Sequence, residues 1–494
     1  MKEGRYEAAC YRRDSFFRDT HDAEPVREGL RYNCGYKAEA SGYTFTKLDD
    51  RVYGLIKKSY RSVINHMKGM ILMSTAFSSA DILLPKDIDY EKWAVIACDQ
   101  FTAEPEYWAE TKKITEGSVS ALDLILPEVY LNDPDAEERI AKIHTNMNAY
   151  LDMNVFEEYK DALIYVERVQ TDGIVRAGIV GAIDLEQYDY RKGSASQVRA
   201  TEATVVERIP PRIKVREKAP VELPHIMILI DDVQKKIIEP LAEKKDSFRK
   251  LYGFDLMQGG GHIDGWLIDK QTMYDIFDGL DALADKKAFN EKYGLENAEP
   301  LVFAMGDGNH SLATAKEFYE RLKAEDPYVK LGNCPARYAL AEIVNLHSPA
   351  LKFEAIHRIV TGADEEQLFA DIRNALDLTE GRTEGAQCFA IVNNGKSVWY
   401  TVGKPSSKLT VGSLQNFLDV WVKENGAGID YIHGAEVVEK LSNENGSIGF
   451  ILPDMGKEEL FPTVIADGAL PRKTFSMGHA RDKRYYIEAR KIIK

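Results

Sequence analysis

Residues 300–325, PLVFAMGDGNHSLATAKEFYERLKAE, hold the stretch from which the rest of the chain can be read. The apolar run Leu301 to Met305 enters Gly306-Asp307-Gly308-Asn309-His310, and a helical period follows from Ser311 to Ala324. A strand, a glycine turn and a helix are therefore expected in succession. Gly306 and Gly308 permit positive φ and close backbone approach, and the first-turn N–H groups of a helix carry partial positive charge suited to phosphate. Asn309, His310 and Ser311 sit where they could add donors, and Asp307 could hold Mg or orient a nucleophile, since hard cations take carboxylate oxygens. The same pattern also suits a plain strand-to-helix turn with a Ser or Asn cap. The spacing is not that of a P-loop, whose lysine is missing, and G-x-G-x-x-G fails at Ser311. An acidic residue between two glycines, with a histidine at the same turn, weighs on the functional side.

Outward from this turn, short β-type runs alternate with helical periods, which predicts a mixed α and β (α+β) fold. Strands are expected at Trp93 to Ala97, Ala162 to Val169, Ile174 to Leu185, His225 to Asp231 and Leu301 to Met305, then at Phe353 to Ile359, Phe389 to Val392 and Ile448 to Leu452. Helices are expected at Asp133 to Leu151, Glu239 to Leu251, Thr272 to Ala284, Ser311 to Ala324, Glu365 to Leu376 and Val411 to Glu424. In the first helix Ile140, Ile143, Met147 and Leu151 make one apolar stripe. The pattern divides the chain into a core region, residues 73–345, that holds the Gly-Asp-Gly turn and a C-terminal α and β region, residues 346–494, that completes the site.

The 494 residues are 44% apolar and 29% charged, the balance of an ordinary globular protein with chain enough for two or three domains. Charge is uneven: residues 1–72 carry 14 Lys+Arg against 10 Asp+Glu, which leaves 50 against 69 for the remainder. That first segment is rich in Tyr and Arg and has no sustained period of either kind. It reads as a poorly ordered extension or as upstream sequence before a natural start at Met73, with a small helical cap at Val52 to Met67 as the alternative. No apolar run reaches membrane-span length and the first twenty residues hold no apolar h-region, so a cytoplasmic protein without a membrane partner is expected. Five widely spaced cysteines, Cys10, Cys34, Cys98, Cys334 and Cys388, fit neither a disulfide framework nor a zinc site and read as free thiols.

Five ordered blocks give the sequence a resemblance. Trp93 to Gln100, Thr201 to Arg208, Gly306 to His310, Ile356-His357-Arg358 and Pro471 to Gly478 resemble the family catalogued as domain of unknown function 1015. The family's glycine block is similar to that of the ParB/sulfiredoxin superfamily, which includes free-serine kinases, so the resemblance implies a ParB/sulfiredoxin-like core with additional α and β elements. The family block commonly reads D-G-H-H-R. Here Asn309 replaces the first histidine and Ser311 the arginine, so a cation is lost from the turn. Arg358 and the pair Arg472-Lys473 are the expected suppliers of that charge. The resemblance implies a kinase-like use of ATP or ADP, with Mg, on a small hydroxylated metabolite, with free L-serine as the specific expectation.

Phosphoryl transfer needs neutralisation of charge, a metal and a group to take the hydroxyl proton. Asp99, after a strand end, is the candidate base, or else an Asx cap for the helix near Glu104. Asp307 serves the phosphate and metal end and His310 donates to phosphate, the three together forming the expected catalytic set. Gly306, Gly308, Asn309, Ser311, His357, Arg358, Arg472, Lys473 and Thr474 are the expected phosphate contacts, Arg being the better bidentate donor. Glu202, Glu207 and Arg208 line the substrate end, or pair with one another. Gly259-Gly260-Gly261-His262 with Asp264 reads as a hairpin connection rather than a second anion loop, and Cys98 as an inert thiol. A nucleotide-binding regulatory or partner-binding module without turnover is the competing class. Nucleic acid is disfavoured as a partner by the acidic core; oligomeric state is not legible.

Overall fold

The β-strand Val175–Asp184 is buried along most of its length, as a strand with neighbours on both sides must be. It belongs to a computed structural model that describes residues 75–202, 209–325 and 334–493, all within one unit, Lys68–Lys494. The expected Val52 to Met67 cap, the reading of residues 1–72, and Glu207 and Arg208 lie outside the described residues.

The first sheet takes its strands from the region before residue 346. They are β1 (Phe77–Ser78), β2 (Ile164–Val169), β3 (Val175–Asp184), β4 (Tyr188–Asp189), β5 (Val198–Arg199), β6 (Met227–Ile230), β7 (Arg249–Asp255), β8 (His262–Leu267), β9 (Phe303–Asp307) and β10 (Tyr338–Asn345). Their order is β7-β8-β2-β3-β10-β6-β9-β5-β4, with β1 on β3. The sheet is mixed: β6 runs parallel to β10 but antiparallel to β9, which is parallel to β5. The second sheet follows, from β11 (Phe353–Thr361), β12 (Leu378–Glu380), β13 (Cys388–Asn393), β14 (Lys396–Val402), β15 (Gly428–His433), β16 (Ile448–Ile451) and β17 (Phe475–Met477). Its order is β12-β14-β13-β16-β11-β15, with β17 on β11. Apolar side chains of both regions share one cluster, in which Met227, Leu229 and Ala304 pack with Phe353, Phe389 and Phe450.

Five helices carry the expected periods: α1 (Ala136–Asp152), α2 (Lys270–Leu283), α3 (Asn309–Glu325), α4 (Glu365–Leu376) and α5 (Thr410–Asn425). In α1 the buried stripe is Ile140, Ile143, Met147 and Tyr150, so Tyr150 takes the place expected for Leu151. Two expectations are corrected. Glu239 to Leu251 is not one helix but a single turn, Leu241–Lys244, leading into β7, where Tyr252 and Phe254 alternate with exposed neighbours and pairing with β8 overrides helix propensity. Trp93 to Ala97 is not one strand: Tyr90–Trp93 is a helical turn capped by Asp89, and only Val95–Ile96 pairs as strand. The three-glycine run connects the hairpin β7–β8. Cys98, Cys334 and Cys388 are free thiols, and among the described residues no helix is long and apolar enough to cross a membrane.

After β17 the chain returns to the region before residue 346, where it forms two separate two-stranded sheets. Tyr485–Tyr486 pairs with Val95–Ile96, and Arg490–Lys491 with Val221–Glu222. Buried arginines hold this return. Arg168 donates to the carbonyls of Gly260, Arg481 (2.7 Å) and Lys483 (3.2 Å), and Arg176 to that of Asp482 (2.7 Å). Arg484 pairs with Glu342 of β10 and with Glu488 at 2.5 Å, all three almost wholly buried. Gly178 makes room for the first of these pairs, since a Cβ there would collide with the Glu342 carboxylate. Removing one partner of a buried pair leaves an uncompensated charge. Arg484→Ala should therefore lower unfolding stability by about 3–5 kcal/mol, whereas Lys113→Ala, which opens an exposed pair with Glu110, should leave the denaturant midpoint in place. Equal midpoints for the two variants would show that the buried pair does not hold the C-terminal segment.

Candidate active site

β9 ends at Asp307 and α3 begins at Asn309, so Gly308 alone makes the turn. Its φ is +81°, and a Cβ there would lie 3.1 Å from Ile226 Cα, two reasons for glycine at this position. The Gly308 N–H donates to Asp307 Oδ1 at 3.0 Å, and the Gly308 carbonyl accepts the first helical bond, from Leu312 N–H. The N–H groups of the following first turn have no intrahelical acceptor. Asn309 Oδ1 is buried and has no hydrogen-bond partner among the described residues.

This turn lines a polar cleft of about 830 Å³. Opposite it stand Lys473, held at φ +55° in the left-handed region, and Lys483, whose Nζ is 3.3 Å from Asp307 Oδ2. A lysine at positive φ is strained, and such strain clusters at ligand sites. His433, on the cleft edge of β15, is held below its ordinary value by burial and by Lys473, Lys483 and His479, against Glu354. Glu202 faces the same end, where burial pushes its carboxyl up against the pull of Lys473.

Asp99 stands beside the turn, joined to it through His225. Gln100 Nε2 donates to Asp99 Oδ1 at 3.0 Å, and His225 Nε2 lies 3.5 Å from Asp99 Oδ2. Burial would raise the Asp99 carboxyl, but His225, Gln100 and Lys483 outweigh it and hold it well below the usual carboxylate range. Burial likewise acts to pull His225 down, and the charge of Asp99, with Asp307 and Glu128, keeps it above its ordinary value. Ser311 Oγ approaches the same Nε2 at 3.3 Å, while Nδ1 meets Tyr486 OH at 2.8 Å. Serine and aspartate thus compete for one nitrogen, whereas a Ser-His-Asp relay needs them on opposite nitrogens. Burial and Asp99 push the Cys98 thiol up, which agrees with an inert cysteine.

Residues 83–421 match the family described as "Protein of unknown function (DUF1015)". The chain belongs to that family. No curated protein matches it in sequence. Among solved structures it is similar to a conserved hypothetical protein from Pyrococcus furiosus, with 11% identity and TM-score 0.31, covering 64% of this chain and 95% of that one. It is also similar to a free serine kinase in complex with AMP, with 13% identity and TM-score 0.33, covering 62% and 90%. A point mutant of a free serine kinase in complex with ADP has 12% identity and TM-score 0.34, covering 62% and 91%. At these scores the likenesses carry no argument for this chain.

The fold of this family member brings Asp99, Glu202 and Lys473 to one cleft with Gly306, Asp307, Gly308, Asn309, His310 and Ser311. Four expected phosphate contacts are not among its lining residues. Arg358 is fully buried, donating to Gln415 Oε1 (3.0 Å) and to the carbonyls of Ile356 and Arg472; the neighbouring His357 Nδ1 accepts from Leu452 N–H at 3.2 Å. Arg472 pairs with Asp419 at 2.5 Å, and Thr474 Oγ1 donates to the Pro471 carbonyl at 2.6 Å. Asp99 is not a cap, because Glu104 precedes the helix Pro105–Ile114. Sequence reasoning passed over Lys483, His225 and the paired Arg212 and Glu128, which also line or adjoin the cleft. No motif marked them; the only signal was that His225 opens an expected strand and Lys483 follows a matching block.

A histidine raised by a carboxylate contributes stability that is complete below its unfolded value, ~6.5, and is lost as pH climbs through the folded value. In Asp99→Asn the C2–H resonance of His225 should titrate at lower pH than in the parent chain, and the stability gained on acidification to ~6.5 should shrink. An unchanged midpoint by proton NMR would separate the two side chains.

Proposed function

We propose that the cleft binds the phosphates of ATP or ADP and transfers a phosphoryl group to the hydroxyl of a small metabolite. One observation carries the reading: the Gly306-Asp307-Gly308 turn and the N-terminus of α3 open onto the same polar cleft as Lys473 and Lys483. Helix-terminal N–H groups and two ammonium groups are a matched set for phosphate oxygens. The two lysines supply the cation that Ser311 does not. The resemblance of the glycine block to that of free-serine kinases makes L-serine the first acceptor to try.

In this reading the acceptor oxygen attacks the terminal phosphorus, the bond to the bridging oxygen breaks, and the hydroxyl proton passes to a carboxylate. Glu202, raised by burial, is better matched to take a proton near neutral pH than Asp99, which is held strongly acidic. Asp99 instead favours the protonated form of His225, which adjoins the cleft. Mg commonly rests on one or two carboxylates and the substrate phosphates, and Asp307 is the residue that would hold it. Bound there it would neutralise charge on the transferring group.

A second reading, nucleotide binding without turnover, draws support from Lys483, which already neutralises Asp307 at 3.3 Å. Phosphorus NMR of the full chain with Mg, ATP or ADP, and a pool of hydroxylated amino acids and polyols separates the two. A new phosphomonoester signal is expected. Asp307→Asn should slow its appearance by roughly 10²–10³-fold, with the circular dichroism spectrum retained, and Glu202→Gln should cost more in kcat than Asp99→Asn. Nucleotide that binds but is never consumed favours the second reading; full turnover by Asp307→Asn would remove the site assignment.

A further inference from the structure

A second chamber adjoins the cleft and shares Glu128, Leu131, Arg212 and Ser311 with it. Its volume is about 150 Å³, the size at which an apolar protein cavity takes up benzene. Beyond the shared boundary its walls are chiefly aliphatic, among them Leu124, Leu126, Met147, Val215, Ile226 and Ile492. Arg216 pairs with Glu222 at 2.5 Å, and its Nε is buried without a hydrogen-bond partner among the described residues. The other polar groups named here are engaged. His225 Nδ1 meets Tyr486 OH at 2.8 Å, Thr314 Oγ1 donates to the His310 carbonyl at 2.7 Å, and Arg212 pairs with Glu128.

These walls discriminate between occupants. A nucleobase would strand its ring nitrogens and amino group against aliphatic side chains, at the cost of unmade hydrogen bonds. A hydrocarbon group loses nothing there and gains burial. Glu128, Arg212 and Ser311 lie on the boundary with the cleft, and Arg216 and Glu222 pair with each other farther in, so a molecule using both spaces would have its polar end among Asp307, Lys473 and Lys483 and its hydrocarbon end against the aliphatic walls.

We propose that the chamber receives an apolar group, up to the size of a phenyl ring, of the small molecule whose polar end occupies the cleft. This rests on the phosphate-binding reading for the polar end. It narrows the acceptor to hydroxylated compounds with a hydrocarbon group, since L-serine itself would leave the chamber empty.

Calorimetric titration of the full chain with methyl phosphate, benzyl phosphate and benzyl alcohol tests it. Benzyl phosphate should bind about 10- to 100-fold more tightly than methyl phosphate, as burial of an aromatic side chain implies. Ala219→Phe, which places a ring in the chamber from its own wall, should remove that gain. Leu126→Ala, which enlarges the chamber, should instead tighten 2-naphthylmethyl phosphate relative to the parent, and serves if the first variant does not fold. Equal affinity for methyl and benzyl phosphate, a gain that survives Ala219→Phe, or no response of the naphthyl ligand to Leu126→Ala would overturn the chamber assignment. Benzyl alcohol binding without any methyl phosphate binding would uphold the chamber and remove the phosphate end. Methyl phosphate binding with no benzyl gain would do the reverse.

Discussion

A carboxylate in the middle of a sheet must be neutralised where it stands, and Glu342 is 1% exposed. Arg176 of β3 approaches it at 3.6 Å and Arg484 pairs with it from the C-terminal segment, so burial, which would raise its carboxyl, is outweighed and it stays ionised. The cost of burying these charges is recovered only while all of them are in place. Arg168 adds a second anchor, stacking over Tyr485 at 4.8 Å and binding three carbonyls around it. The segment thus fixed runs through Lys483 and Tyr486. One faces Asp307 and the other His225, so the charges of the cleft are positioned by an ion cluster on the far side of the same strand of backbone.

This dependence explains what the sequence reveals and what it hides. Periodicity alone locates α3, α4 and α5 to within a few residues, because Leu368, Ile372 and Leu376, for instance, repeat at helical spacing and are all buried. The glycine turn is legible for the same local reason: strand, φ-permissive residue and helix start are neighbours in the chain. Local reading fails where pairing decides, as in β7, whose strand character comes from β8 rather than from its own helix-compatible flank. The cations are a second case in which distant contacts decide. Arg358 and Arg472 stand in matching blocks and look like phosphate ligands, yet Arg358 spends its donors on Gln415 and on backbone carbonyls inside the second sheet, and Arg472 on Asp419. Lys483 lines the cleft beside Asp307, although no residue beside it in sequence signals a site. Its position is held by its neighbour Arg484 and by Arg168 and Arg176, about 300 residues earlier in the chain.

The acidic balance of the chain is consistent with an anion site because charge acts at two ranges. At physiological ionic strength screening extends about 8 Å, so the excess of carboxylates over the whole surface is felt weakly inside a cleft. There the nearest groups decide. Lys473, Lys483 and the N-terminus of α3 converge at one end, and their effect is visible in His433, which is held below its ordinary value partly by those lysines. Beside the same turn Asp99 and His225 lie 3.5 Å apart, and against the opposing effect of burial each holds the other, the carboxyl below and the imidazole above its ordinary value. The cleft thus places two lysines near the glycine turn, with a chiefly aliphatic chamber beyond Ser311. On the proposed reading, a small molecule with one anionic and one hydrocarbon end is complementary to that arrangement.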